Sequence, residues 1–269
     1  IPAIEEGIRI QLAEIDSITK NPEAPTFENT VLAYEKSGRL LARATAILSG
    51  LVGADGTEEL QKIDEETTPM LSDHQDALLL NEKLFARIKA VYDQRSSLEG
   101  EDLRLTELLY DQFVHEGALL SPQDKEELKK INSEIAVLQT KFTNQVNAGT
   151  KAAAVLVDRV EDLDGLSEEA IARAAEAATQ AGQKGKYLLE QTNTTRPGYI
   201  AGLNNRDLRR RVLEASLNRC SASDSTGTHA TITRIAELRA TKAKLLGFSS
   251  FSAWALSDQM AQRPEAVLR

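Results

Sequence analysis

Three histidines, one cysteine and 41 carboxylates are the side chains of this 269-residue chain that could hold a metal, move a proton or attack a carbonyl. Two imidazoles four residues apart on a helix can share a zinc ion. "VHEGALL" at 114–120 begins that pattern with His115 and Glu116, but Leu119 stands where the second histidine is needed. His115 therefore reads as a structural or surface residue near a helix end. His229, in "STGTHAT", opens a helix among small polar neighbours, which is a poor setting for a catalytic base. His74, in "SDHQD", has acidic neighbours that favour its charged form, and it reads as a solvated surface residue. The carboxylates come in runs: Glu58-Glu59, Asp64-Glu65-Glu66, Glu126-Glu127 and Glu168-Glu169. Such runs are the usual mark of solvated helix faces with partners of opposite sign one turn away. A working pair would need burial and a raised pKa. Cys220 has no base beside it and reads as packing. Glycine loops for phosphate and the Gly-x-Ser-x-Gly elbow are absent from the sequence. No catalytic or metal-binding residue is assigned, and substrate-binding residues are left open.

Arg206, Arg209, Arg210 and Arg211 put several guanidiniums on one helical side. In a chain of net charge −9 the simpler reading is pairing with acidic neighbours. The same charge argues against nucleic acid or an anionic membrane as principal partner. One cysteine excludes an internal disulfide and a thiolate-rich zinc site, yet suits both cytosol and periplasm. No apolar run approaches the ~20 residues of a membrane span.

Glycine and proline are scarce at 15 and 7, and helix formers dominate, so the fold is expected to be mainly α. Aromatics are only 4%, which predicts a mostly aliphatic core. Ile4, Ile8, Leu12 and Ile15 line a first helix that "NPEAP" ends. Thr26 caps a second, predicted to run through Leu51 to Gly53 and Gly56. Looser patterns follow at 57–71, 73–93 and 101–116. Ser121 and Pro122 then start a long helix with a heptad-like seam of Leu128, Ile131, Ile135, Leu138 and Phe142. The texture changes at 151. "AAAVLV" at 152–157 and "KYLLEQT" at 186–192 read as strands around a helix capped by Ser167 and stopped at Gly182, with Leu166 and Ile171 spaced as a staple. Helices resume at 206–219 and 228–246, and a short aromatic helix holds Phe251 and Trp254. This divides the chain into a long-helix bundle at 1–150, a small α/β insert at 151–205 and helices at 206–269.

"RPGYIAGLNNRDLRRRVLEASLNRC" (196–220), followed by "ITRIAELRATKAKLLGFSSFSAWALSDQMAQRPEAV" (232–267), closely resembles the thimet oligopeptidase family of zinc metallopeptidases, best its dipeptidyl carboxypeptidase branch. "APTFENTV" at 24–31 is similar to that family's N-terminal signature. "LSPQDKEELKKINSEIAVLQTKFTNQV" resembles its long central helix, and "GLSEEAIARAAEAATQAG" its small insert. The likeness runs through the whole chain in the expected order and is most specific at 193–262.

The resemblance implies the N-terminal lobe of a two-lobed, largely helical peptidase whose deep channel admits short peptides. The parent would release dipeptides from peptide C-termini. Its zinc would sit on a His-Glu-x-x-His helix and a further acidic ligand, and no residue here matches those positions. That zinc holds a water made acidic by the metal, with the motif glutamate to take its proton. The chain alone is therefore expected to hold no catalytic zinc and to be inactive. Its expected partners are short peptides and the missing catalytic lobe, in the cytoplasm or alternatively a bacterial periplasm. Both ends read as cut, since the chain starts at Ile1 without methionine and stops at Arg269 inside a helix start. The main rival is a free-standing helical adaptor or peptide-binding module. An independent enzyme using buried carboxylates or His229 is a third reading.

Overall fold

The structure is a computed structural model describing residues 1–221 and 225–268. It is mainly α, with one two-stranded antiparallel sheet among the described residues. The backbone divides into two compact units, one of residues 1–140 with 234–269 and one of residues 141–233.

The first unit opens with α1 (Pro2–Thr19). Thr26 then caps a short π-helical turn at Phe27–Val31, reciprocally with Asn29: the Asn29 amide donates to Thr26 Oγ1 at 3.2 Å and the Thr26 amide to Asn29 Oδ1 at 2.9 Å. The turn leads into α2 (Leu32–Glu35). The single helix expected from Thr26 to Leu51 is broken here, because Gly38 takes φ +71 and starts α3 (Arg39–Asp55) anew. A side chain at Gly38 would also collide with Gln11 of α1. Gly53 lies inside α3 rather than ending it, and Gly56 follows its last residue.

α4 (Glu58–Leu79) is longer than expected and runs through Pro69, without the break placed near residue 72. Proline lacks the N–H for the carbonyl one turn back. Thr67 and Thr68 hydroxyls beside it donate to the carbonyls of Ile63 and Asp64 at 2.9 and 2.8 Å, binding the turn from outside the ladder. The chain breaks instead at Asn81, whose side chain accepts from the amides of Lys83 and Leu84 and caps α5 (Glu82–Asp93). α6 (Gly100–His115) and α7 (Pro122–Ala152) follow. Ser121 starts α7 as expected, accepting from the Asp124 amide at 3.2 Å and donating to its carboxylate at 2.7 Å. Of the seam on α7, Leu128 and Ile131 are buried, while Ile135, Leu138 and Phe142 are only half-buried.

The core of this unit is mostly aliphatic, as composition implied, with a group of aromatic rings inside it. Phe85 and Phe113 stack at 6.1 Å, Tyr34 meets Phe113 edge-on at 5.7 Å, and Tyr110 stacks on Phe85. Ile15, Ile18, Val31, Leu84 and Ile88 close around them. Each such ring buries more area than an aliphatic side chain and adds about 1 kcal/mol through its quadrupole.

The second unit is the strand–helix–strand insert and its neighbours. β1 (Val155–Val157) pairs antiparallel with β2 (Tyr187–Leu189), Val155 opposite Leu189 and Val157 opposite Tyr187. Both are shorter than expected, β1 because α7 continues through Ala152 before the strand begins. Ser167 caps α8 (Glu168–Gln180) by accepting from the Ala170 amide. Leu166 and Ile171 pack on the same apolar cluster, as a staple should. α9 (Arg196–Gly202) forms where no helix was expected, and α10 (Arg206–Leu217) follows with Leu208 and Val212 buried. α11 (His229–Leu245), α12 (Phe251–Leu256) and α13 (Pro264–Val267) complete the order, the last two in the first unit.

Candidate functional site

The first unit contains a cavity of about 390 Å³ walled by α4, α7, α11 and α12, with Glu116 at the end of α6. Of its polar members Asp76 and Lys242 are buried, Glu116, Asn132 and Arg239 half-buried, and Gln75 and Gln139 exposed. Asp76 of α4 is 6% exposed, and its Oδ1 accepts from Asn132 Nδ2 of α7 at 2.7 Å. Oδ2 is buried and has no hydrogen-bond partner among the described residues. Burial pushes the Asp76 carboxyl up from 3.8 to about 6; the Asn132 hydrogen bond and the Lys242 charge pull against it, while Asp73 and Glu116 add to it. Lys242 of α11 donates to Glu116 Oε2 at 3.4 Å, with the two side chains 11% and 22% exposed. Its ammonium also lies 4.5 Å from the centre of the Trp254 ring. Arg239, one turn earlier, lies over Phe251 at 4.8 Å. A cation over an aromatic face is held by the ring quadrupole, more strongly where water is excluded.

Trp254 is fixed from behind. His115 stacks on it at 4.7 Å with a 14° interplanar angle, and the indole N–H donates to the His115 carbonyl at 3.2 Å. His115 Nδ1 meets Ser257 Oγ at 3.3 Å. His115 stands at the last turn of α6, the helix end its sequence context implied. The arrangement is a half-dry polar site: a carboxylate with one oxygen unmatched, an ion pair and an aromatic wall. It can bind a polar, charged ligand by matching hydrogen bonds and charge.

His74 requires a correction. It is buried at 6% exposure, and Nε2 donates to Gln11 Oε1 at 2.8 Å. Burial holds its pKa below the ordinary value, opposite to the rise expected from acidic neighbours. The reason is its place on α4: with Thr67, Leu71 and Leu78 it forms one helical stripe facing the core. His229 is exposed at the first turn of α11.

In the second unit, Cys220 packs as expected, its thiol against Gly149 of α7 and donating to the Gln145 carbonyl at 3.8 Å. The arginine run departs from expectation. Arg210 pairs with Asp207 at 3.5 Å, but Arg209 donates to the carbonyls of Leu203 and Asn204, and Arg211 to that of Leu156 at 3.1 Å. Arg219 reaches the Gln191 carbonyl at 3.0 Å and Arg196 the Ser216 hydroxyl at 2.8 Å. These guanidiniums bind carbonyls of loops and of β1, and one hydroxyl of α10.

Asp76, Asn132, Glu116, Lys242 and Trp254 went unassigned in the sequence. Only Asp76 carried a signal, two residues beyond His74 on a helix whose stripe already contained polar members. Among the described residues, no group of three or more His, Cys, Asp or Glu side chains is placed to hold a metal ion. The residues present therefore do not fit a catalytic zinc. No helix among them is long and apolar enough to cross a membrane.

Residues 200–269 match the family model described as Peptidase family M3. Over 269 residues, 99% of this chain, the sequence is 40% identical to a dipeptidyl carboxypeptidase of Escherichia coli, and equally to one of Salmonella typhimurium. It is 29% identical over 98% of its length to an organellar oligopeptidase A of Arabidopsis thaliana. The chain spans about two-fifths of the length of these relatives, covering 40%, 40% and 35% of them. The resemblance read from 196–220 and 232–267 is thus found over nearly the whole chain, and to metallopeptidases of the peptidyl-dipeptidase and oligopeptidase type.

Proposed function

We propose, from the premise of this resemblance to the M3 peptidases, that the chain is the N-terminal, channel-forming region of a zinc metallopeptidase that releases dipeptides from the C-termini of short peptides. The observation that carries the reading is the 40% identity over 99% of the chain to dipeptidyl carboxypeptidases. Its long helices would narrow the approach to a catalytic lobe, which would supply the His-Glu-x-x-His zinc site. The polar and aromatic walls of the first unit's cavity suit a region that lines an approach for peptides. The chain by itself is inactive in this reading, and its parent works in the cytoplasm or, alternatively, a bacterial periplasm.

Hydrolysis of a short peptide with a blocked N-terminus, with added zinc and with a chelator, tests it. The chain alone should release no dipeptide in either condition. The same chain joined to the catalytic remainder of an M3 dipeptidyl carboxypeptidase should release C-terminal dipeptides, and the chelator should stop it. Chelator-sensitive cleavage by the chain alone would refute the division of labour. A joined protein that folds, binds zinc and cleaves nothing would refute the activity.

A further inference from the structure

α3 presents an apolar stripe to water. Leu40, Ile47 and Leu51 are 39%, 60% and 51% exposed, and Ala44 lies between them at the same helical spacing. Exposed leucines standing singly are ordinary, but three in one line on a 17-residue helix make a surface that burial would stabilise. The helix is also charged against its own dipole. Arg39 is its first residue and Arg43 stands one turn on, where free amides already make the end positive. Asp55 is its last residue, where free carbonyls make the end negative, and Glu58 and Glu59 follow at the start of α4. All five charges are exposed, and none forms an ion pair among the described residues. Other exposed charges of this unit pair one turn away, as Arg9 does with Glu6, Lys20 with Asp16 and Lys89 with Asp93.

A neighbour running the opposite way relieves this pattern. A second α3 laid antiparallel along the stripe sets its acidic end beside Arg39 and Arg43, and its basic end beside Asp55. A two-fold axis makes the two contacts identical, which is the self-complementarity that an isologous dimer requires. We propose that two copies of this chain associate through α3, packed antiparallel about an axis near the middle of the stripe, with Leu40, Ile47 and Leu51 buried between them. The inference does not rest on the peptidase reading, since it uses α3 and its flanking charges alone and is read as association rather than cleavage.

Sedimentation velocity over about a hundredfold range of concentration tests it. A helix pair this short buries less area than a tight dimer needs, so a monomer–dimer equilibrium with a Kd of about 10–100 μM is expected. Ile47→Glu, at an exposed position, should weaken it at least about tenfold. Leu217→Glu, at the 71% exposed position on α10, should leave it unchanged. Arg39→Glu/Arg43→Glu makes both ends acidic, and Asp55→Lys/Glu59→Lys makes both basic. Each of these should self-associate at least about tenfold more weakly than the parent, while the two mixed should dimerise at least as tightly as the parent. Far-UV circular dichroism equal to the parent's shows that each variant is folded. The proposal is overturned if the chain stays monomeric throughout, which leaves the stripe to a different partner. It is also overturned if folded Ile47→Glu associates as the parent does, or if the mixed charge variants pair no better than either alone.

Discussion

Replacing Asp76 by asparagine should make the protein more stable at neutral pH, although it alters a buried, hydrogen-bonded residue. The carboxyl rises from 3.8 to about 6 on folding, chiefly through burial. At about 1.4 kcal/mol for each tenfold change in proton affinity, the ionised form costs the folded state up to about 3 kcal/mol. The sign follows from proton binding. Between 3.8 and about 6 the folded state holds the proton that the unfolded state has released, so stability falls as pH rises through this window and is level above it. Asparagine never ionises, and its carbonyl can still accept from Asn132 Nδ2. Asp76→Asn should therefore gain up to about 3 kcal/mol at pH 7 and little or nothing below about pH 4. Urea unfolding at a series of pH values, followed by Trp254 emission, reads this unit directly, and the gain should appear as a higher midpoint with unchanged slope. A variant no more stable at neutral pH, or one whose gain is the same at pH 4 and pH 7, would refute the account of Asp76 as an uncompensated buried charge.

The remaining expectations concern other parts of the molecule. In the Asp76→Asn background, stability should fall as pH drops through the ordinary histidine range, because His74 is held neutral by burial; pH-independent urea midpoints there would contradict it. Gly149→Ala would set a methyl 2.4 Å from the Cys220 thiol and should cost about 1–3 kcal/mol, much of it restored by Cys220→Ala in a double-mutant cycle of thermal melts. Two independent, additive losses would show that the clash is not the cause. Arg209→Ala releases the carbonyls of Leu203 and Asn204 and should cost about 1–2 kcal/mol, with Arg209→Lys recovering only part; a melt equal to the parent's would remove the staple from the account. Leu40, Ile47 and Leu51 form an exposed apolar stripe on α3, so the chain should bind a hydrophobic dye and self-associate as concentration rises. Sedimentation as a monomer that leaves the dye dark would count against that.

The features legible in the sequence are those closed within about one helical turn. Thr26, Ser121 and Ser167 cap the amides three residues on, and Gly182 and Gly247 take positive φ where helices stop. Capping chemistry involves neighbours along the chain, so the residues involved are visible together. The strand–helix–strand insert was legible for the same reason, by a local change of periodicity. The break at Gly38 and the passage of α4 through Pro69 were not. At Gly38 the left-handed φ of +71 breaks the helix, and at Pro69 two threonine hydroxyls bind neighbouring carbonyls.

Composition and pattern alone determined that this is a mainly helical chain of net negative charge, and its residue order carried the resemblance to a peptidase family. What the arginines hold, and which polar residues are buried, only the tertiary structure decided. Arg211 binds the Leu156 carbonyl, and Asp76 gathers Asn132, Glu116 and Lys242 from three other elements. The proton affinity and binding capacity of a carboxylate depend on how much water reaches it and which charges stand within a few ångströms. Those neighbours are brought together by packing from distant stretches of the chain, so their effect on Asp76 cannot be read from the residues beside it.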